Sequence, residues 1–190
     1  LRAVAQGVAV YSPHTALDAV PGGVNDWLLA AFGDRVREVR ALMPAPGPEG
    51  TPAAASGAPA GAGRLASFEP PLALEAAVTA VKRHLGLEHV RLATAERHAA
   101  GEPLRSVAVC PGAGGSLFAD VRGADLLWTG ELRYHDVRAH NAAGTSVILC
   151  DHSNTERGYL PLLAERLRER LDDAVEVTVS ACDRDPLDVV

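Results

Sequence analysis

Residues 145–156, TSVILCDHSNTE, constrain this chain more than any other stretch. A β-branched apolar run over 146–150 ends abruptly in Asp151, His152, Ser153, Asn154, Thr155 and Glu156. An apolar run of that length followed by helix-capping side chains marks a buried strand handing over to a helix. The start of the chain echoes it. Residues 8–11, VAVY, are followed by Ser12, Pro13 and His14, and Asp18 lies four residues beyond His14 as Glu156 lies four beyond His152. Ligands collect outside the carboxyl ends of strands in open α/β sheets, so the two histidine–acid pairs are expected to meet in one site.

Strand-like and helix-like segments alternate along the rest of the chain. Residues 64–68, 89–93, 106–110, 124–128 and 175–179 also read as strands. Residues 23–32, a segment opened by Pro70 and Pro71 and closed by Gly86, residues 131–143, and a run reaching 171 read as helices. Pro161, just after Gly158, interrupts the last of these, so 154–158 is expected to form a separate short turn. The alternation predicts an α/β fold, a mostly parallel sheet with helices on both faces. From Met43 to Gly63 the composition collapses to Ala, Pro, Gly, Ser and Thr, from which no packed core can be built. The predicted organisation is therefore the end of a first α/β lobe over 1–33, a flexible linker over 34–63, and a second α/β lobe over 64–190. The chain opens at Leu1, without a methionine, in what reads as the tail of a helix, and is expected to be a fragment.

Charge narrows the function classes. With 18 Lys+Arg against 24 Asp+Glu the net charge is -6, which argues against phosphate-backbone binding as the main task, so no direct nucleic-acid partner is expected. No apolar run approaches the roughly 20 residues of a membrane helix. Cys110, Cys150 and Cys182 lack metal-ligand spacing; two of them end apolar runs and read as buried free thiols of a reducing compartment.

His152 and Glu156, at i and i+4, would face one way on a helical turn and suit a borderline or hard divalent metal. The same residues also spell a capping box, Ser153-x-x-Glu156, in which the carboxylate reaches back to a backbone N–H. Thr15-x-x-Asp18 repeats the ambiguity beside His14. Glu131 stands at a predicted helix start, where negative charge is favourable, with His135 four residues on. The glycine turn over 110–116 lacks the Lys-Ser/Thr of a P-loop and reads as a tight turn rather than a phosphate cradle. His84, His89, His98 and His140 read as surface positions, and no nucleophile triad stands out.

YSPHTALDAVPGGVNDWL near the start, with GADLLWTGELRYHD and SVILCDHSNTERGYL near the end, resembles the NGG-one-interacting-factor-three (Nif-three-like) family, over residues 1–33 and 61–190. The closing CDRDPLDVV is most similar to its animal members. That resemblance implies an α/β fold of two related lobes, with a cleft at strand carboxyl ends holding two divalent metal ions. By motif it implies Asp18, His152 and Glu156 as metal ligands, and His14 and His135 as histidines lining the same cleft with a catalytic part. The family's upstream histidine motif has no counterpart in residues 1–190, and the linker stands where many members carry an inserted domain. The resemblance further implies a homo-oligomer, often a hexamer, located in cytoplasm and nucleus. Two functions are expected from it: a metal-dependent hydrolase of a phosphoester or nucleotide (some members carry a GTP-cyclohydrolase label), or a non-enzymatic transcriptional co-repressor adaptor with protein partners.

Overall fold

The computed structural model describes residues 2–45 and 59–187. Helix α1 (Arg2–Ala5) is followed by exposed, extended chain and then by α2 (Thr15–Ala19) and α3 (Val24–Leu29), which runs on into a 3-10 segment, Ala30–Arg35. Strands β1 (Val36–Pro44) and β2 (Gly61–Leu72) come next, then α4 (Leu74–Leu85), β3 (Arg91–Ala93) and α5 (Glu96–Ala99). The remainder is β4 (Leu104–Ala113), α6 (Gly115–Phe118), β5 (Leu126–Glu131), α7 (Tyr134–Ala142), β6 (Ser146–Leu149), two 3-10 turns (Ser153–Thr155 and Arg157–Tyr159) and α8 (Leu160–Arg170).

Six strands form one sheet in the order β1-β2-β4-β5-β6-β3. Only β4, β5 and β6 run parallel; β1–β2, β2–β4 and β3–β6 pair antiparallel, so the sheet is mixed rather than mostly parallel. The parallel centre is buried on both faces, as crossover helices require: all of β6 and the first five residues of β5 are shielded. Alternate residues of β4 serve two cores. Val107 and Val109 face Leu28, Phe32, Ala77, Val81 and Trp128, while Ala108 and Cys110 face Phe118, Leu127 and Val147. Helices therefore lie on both faces, as expected. Helix α4 buries Leu74, Ala77 and Val81, one stripe at helical spacing. It stops at Gly86, which has φ 68° and lets Leu87 N–H reach the Lys82 carbonyl at 2.9 Å.

Several expectations are corrected. Residues 8–11 form no strand, and Val8, Val10 and Tyr11 are exposed. Nor do residues 175–179, whose Val175 and Val179 face solvent. Pro70 and Pro71 lie at the end of β2 rather than at a helix start. The segment expected to be a linker, 34–63, carries β1 and the start of β2 at its two ends; its middle, 46–58, lies outside the described residues. Pro161 sits in the first turn of α8, where its missing N–H costs nothing, and the expected separate turn precedes it.

Arg64 of β2 is fully buried and ties the α2–α3 segment to the sheet. Its Nε donates to Asp26 Oδ1 at 2.6 Å and its Nη1 to the carbonyls of Gly61 (2.6 Å) and Gly63 (2.9 Å). Asp26 Oδ2 accepts from Gly22 N–H at 2.6 Å, closing the network. A buried guanidinium needs such partners for nearly all its donors.

Candidate functional site

The carboxyl ends of β4, β5 and β6 come together because two glycines let their backbones touch. A Cβ on Gly130 would lie 2.6 Å from the Gly112 carbonyl, 2.7 Å from the Asp151 carbonyl and 2.8 Å from His152 Cα. Gly112 has φ 61°; its N–H donates to Thr155 Oγ1 at 2.8 Å and its carbonyl accepts from Thr129 Oγ1 at 3.1 Å. The glycine turn is thus a device for close backbone approach, and the Gly112 N–H is spent on Thr155.

After β6, Asp151 takes a left-handed conformation (φ 64°), which Asp tolerates better than most residues, and pairs with Arg91 at 2.5 Å. The following 3-10 turn is held by Asn154 Nδ2 donating to the Cys150 carbonyl (2.8 Å) and Thr155 Oγ1 donating to the His152 carbonyl (2.7 Å). No side-chain cap bond forms at either 3-10 turn or at α2, so neither capping box is made. The Glu156 carboxylate faces His152 instead. His152 stands between two carboxylates: Nδ1 is 3.2 Å from Glu131 Oε1, and Nε2 is 3.5 Å from Glu156 Oε1. All three side chains are about half exposed, at 48%, 53% and 45%.

Asp18 approaches from the other end of the chain. Burial pushes its carboxyl above the usual range, and the Glu156 charge adds to this, while His14 and His152 pull it down. Its segment is pinned where Asn25 Nδ2 donates to the Asp18 carbonyl at 2.9 Å, and where Tyr159 Oη (3.3 Å) and Arg166 (2.5 Å) both donate to the Gly22 carbonyl. His14 forms the N-cap of α2 with φ 41°, beside Asp18. His135 lies on the exposed side of α7 with its ring 5.7 Å from Tyr134. Among the described residues it makes no hydrogen bond or ion pair with Asp18, His152 or Glu156. Beneath the site, burial and then the Asp18 and Glu156 charges push the Cys110 thiol up to about 12, so it is a neutral thiol. Cys150 is likewise buried and raised to about 12, first by burial. Both thiols are free, as the sequence predicts.

The donor geometry bears on whether a divalent metal fits. Two ligands of a tetrahedral ion at about 2.1 Å lie about 3.4 Å apart, close to the 3.5 Å between His152 Nε2 and Glu156 Oε1. A Cβ at Gly112 would come 2.7 Å from that Nε2 and 2.9 Å from that Oε1, so the glycine leaves room on which the pair depends. Nε2 and a carboxylate oxygen facing each other suit a cation between them. Among the described residues no three His, Cys, Asp or Glu side chains close into a metal-holding cluster. The pair therefore fits two positions of a coordination shell, with Asp18 alongside, and does not complete one.

Two of the histidines expected at the surface are not there. His98 is 3% exposed, with Nδ1 2.7 Å from Ser146 Oγ, and burial lowers its pKa. His84 is half-buried against Trp27, ring centroids 4.5 Å apart. The residue that sequence reasoning undervalued is Glu131, the last of β5, whose tie to His152 depends on strand register. Its signal was its place at the end of a buried apolar run.

A family model described as Duf34/NIF3 (NGG1p interacting factor 3) matches residues 1–186. The chain is 38% identical over 194 residues to the NGG1-interacting factor 3 of Saccharomyces cerevisiae, covering all of this chain and 64% of that protein. It is 32% identical over 267 residues to NIF3-like protein 1 of Rattus norvegicus, covering all of this chain and 70% of that protein. It thus spans about two thirds of the length of these relatives. Among solved structures, a Bacillus cereus protein related to NIF3 superposes with a TM-score of 0.80 at 18% identity, over 98% of this chain and 75% of that one. A Staphylococcus aureus protein does so with a TM-score of 0.76 at 18% identity, over 98% and 71%. At that identity the likeness shows the fold.

Proposed function

The chain belongs to the Duf34/NIF3 family, and from that premise we propose that it binds divalent metal through His152 and Glu156, with Asp18 beside them, as a hydrolase of phosphoesters or nucleotides. The observation that carries the reading is the 3.5 Å pairing of His152 Nε2 with Glu156 Oε1 over the space left by Gly112. Bound there, a divalent ion supplies a water of lowered pKa and polarises a phosphoryl or ring-carbon electrophile. The residues of the chain hold and orient. Glu156 presents an oxygen free of any capping bond, and Thr155 fixes the turn that carries it. Asp18 is the third metal ligand of this reading, and His14, which flanks it, has a catalytic part. His135, exposed on α7, has the other catalytic part that the family resemblance implies. Two ions per site, and assembly into a homo-oligomer such as a hexamer, belong to the same reading.

The test is calorimetric titration of zinc(II) into the metal-free chain and into His152→Ala. Binding by the chain that falls at least about tenfold in the variant supports the reading; equal binding by both, or none by the chain, overturns it. A phosphoester and nucleotide hydrolysis screen then decides whether turnover follows.

One finding favours a second reading, an adaptor for transcriptional regulators working through protein contacts in nucleus and cytoplasm: the yeast relative's name describes a factor that interacts with NGG1. An acidic chain suits protein contact better than direct DNA binding. No helix of the described residues is long and apolar enough to cross a membrane. Under this reading His152→Ala leaves partner capture intact; under the first it removes activity.

A further inference from the structure

We propose that the cavity between the carboxyl end of β6 and the closing segment 183–187 binds a small organic anion with an apolar body. Arg91 and Arg184 grip the charged end, and Leu87, Val90 and Leu149 bury the rest. The cavity has a volume of about 570 Å³, within the range of small-molecule sites. Asp151 and Asn154 line it too, so it opens beside the turn that carries His152 and Glu156, at a strand end where ligands collect. Two guanidiniums meet three carboxylates in this lining, Glu88, Asp151 and Asp185, but two of the three are already engaged. Asp151 Oδ1 accepts from Arg91 at 2.5 Å, and Asp185 Oδ1 accepts from Leu187 N–H at 2.9 Å. Arg91 spends one N–H in this way; its others, and all five of Arg184, have no hydrogen-bond partner among the described residues. Such an excess of forked donors beside an apolar floor suits a carboxylate or phosphate that carries a ring or chain. Glu88, without a partner among the described residues, opposes an anion and supplies a control of opposite sign.

The closing motif CDRDPL builds the outer wall. Asp183 Oδ2 accepts from Arg157 Nε at 2.8 Å, and Asp185 turns back on the Leu187 N–H across Pro186, so Arg184 stands between two anchored residues. Arg157 directly follows Glu156, which ties this wall to the turn of the candidate site. The opposite wall is the loop between α4 and β3, which supplies Leu87, Glu88 and Val90. Arg91 enters from the first position of β3, where it pairs in register with Leu149 of β6. The two arginines therefore come from elements fixed independently of each other.

The experiment is calorimetric titration of naphthyl phosphate, naphthoate and inorganic phosphate into the metal-free chain. At least one naphthyl compound is expected to bind at least about tenfold more tightly than inorganic phosphate, because its ring is buried. The tighter of the two identifies the anion as a phosphomonoester or a carboxylic acid. Arg184→Met, on a segment outside every helix and strand, is expected to weaken that binding at least about fivefold while circular dichroism stays unchanged, and Arg91→Met to do the same. Glu88→Gln is expected to tighten it about two- to threefold. No binding of either naphthyl compound, binding that a folded Arg184→Met leaves unchanged, or weaker binding by Glu88→Gln overturns the proposal. Zinc(II) uptake is the separate test of the metal reading: if zinc fails to bind while these results hold, that reading falls and this site stands.

Discussion

A methyl group on Gly158 would lie 2.5 Å from Cζ2 of Trp27. The indole occupies that space because Trp27 also packs on His84 at 4.5 Å and edge-on to Tyr159 at 6.5 Å. Gly158→Ala must push Trp27, and with it α3, away from the turn that follows Glu156. The expected cost is about 1–3 kcal/mol, a midpoint lowered by about 3–10 °C in thermal unfolding followed by circular dichroism.

Gly112→Ala combines a steric clash with a strained backbone, since φ is 61° and the new Cβ would meet His152 Nε2 and Glu156 Oε1. It is expected to cost about 1–2 kcal/mol of stability and to weaken zinc(II) binding by at least about tenfold in calorimetry. Gly115→Ala is the control. Its Cβ would touch only Leu132, at 3.9 Å, so both quantities should stay near those of the parent chain.

Arg64→Leu removes the cation that Asp26 faces and is expected to cost about 3–5 kcal/mol in urea unfolding. Arg64→Lys is expected to recover little, because a single ammonium cannot serve Asp26 and the carbonyls of Gly61 and Gly63 together.

Asp125 makes acid stability testable. Burial pushes its carboxyl up, but the Arg105 N–H, the Arg97 guanidinium and the Ser106 hydroxyl outweigh burial and hold it below the usual range. A carboxyl whose folded pKa is depressed leaves the unfolded chain binding more protons through that window, so stability rises with pH there. Its contribution is full above the unfolded value of about 3.9 and is lost as pH falls through the folded value. Asp125→Asn is expected to be about 1–3 kcal/mol less stable at pH 7 and to show a flatter decline below about pH 4 in urea titrations at stepped pH.

What the sequence made legible follows from how local each cause is. Helix α4 was readable from Leu72, Ala76, Val78, Val81 and Leu85 and from Gly86, which ends it, although the stripe that it buries is Leu74, Ala77 and Val81. The buried centre of the sheet was readable as apolar runs. Strand β2 was obscured by Gly61 and Gly63, yet those glycines are what β1 requires: a Cβ at Gly61 would lie 2.3 Å from the Met43 carbonyl, and one at Gly63 2.7 Å from the Leu42 side chain. Residues 8–11 carry a strand pattern with nothing to pair against among the described residues. His98 looked like surface because its partner, Ser146, lies 48 residues away. In the site, His152 and Glu156 were legible from their spacing, though the capping-box alternative, a purely local pattern, was not used by the fold. The Glu131–His152 contact was not legible, because the alignment of two parallel strands, and no spacing along the chain, brings those residues together.

The hydrogen bond from Tyr159 to the Gly22 carbonyl spans 137 residues, and that separation sets a clock on synthesis. At about 5–20 residues per second, roughly 7–27 s pass between the translation of Gly22 and that of Tyr159. Throughout that interval Trp27 lacks the turn it will pack on, and Asp18 lacks the His152 and Glu156 charges that act on it. The apolar side of α3 can settle on α4 and the central strands as they appear, but the seat of Trp27 against Gly158 is completed only when the turn before α8 has been made.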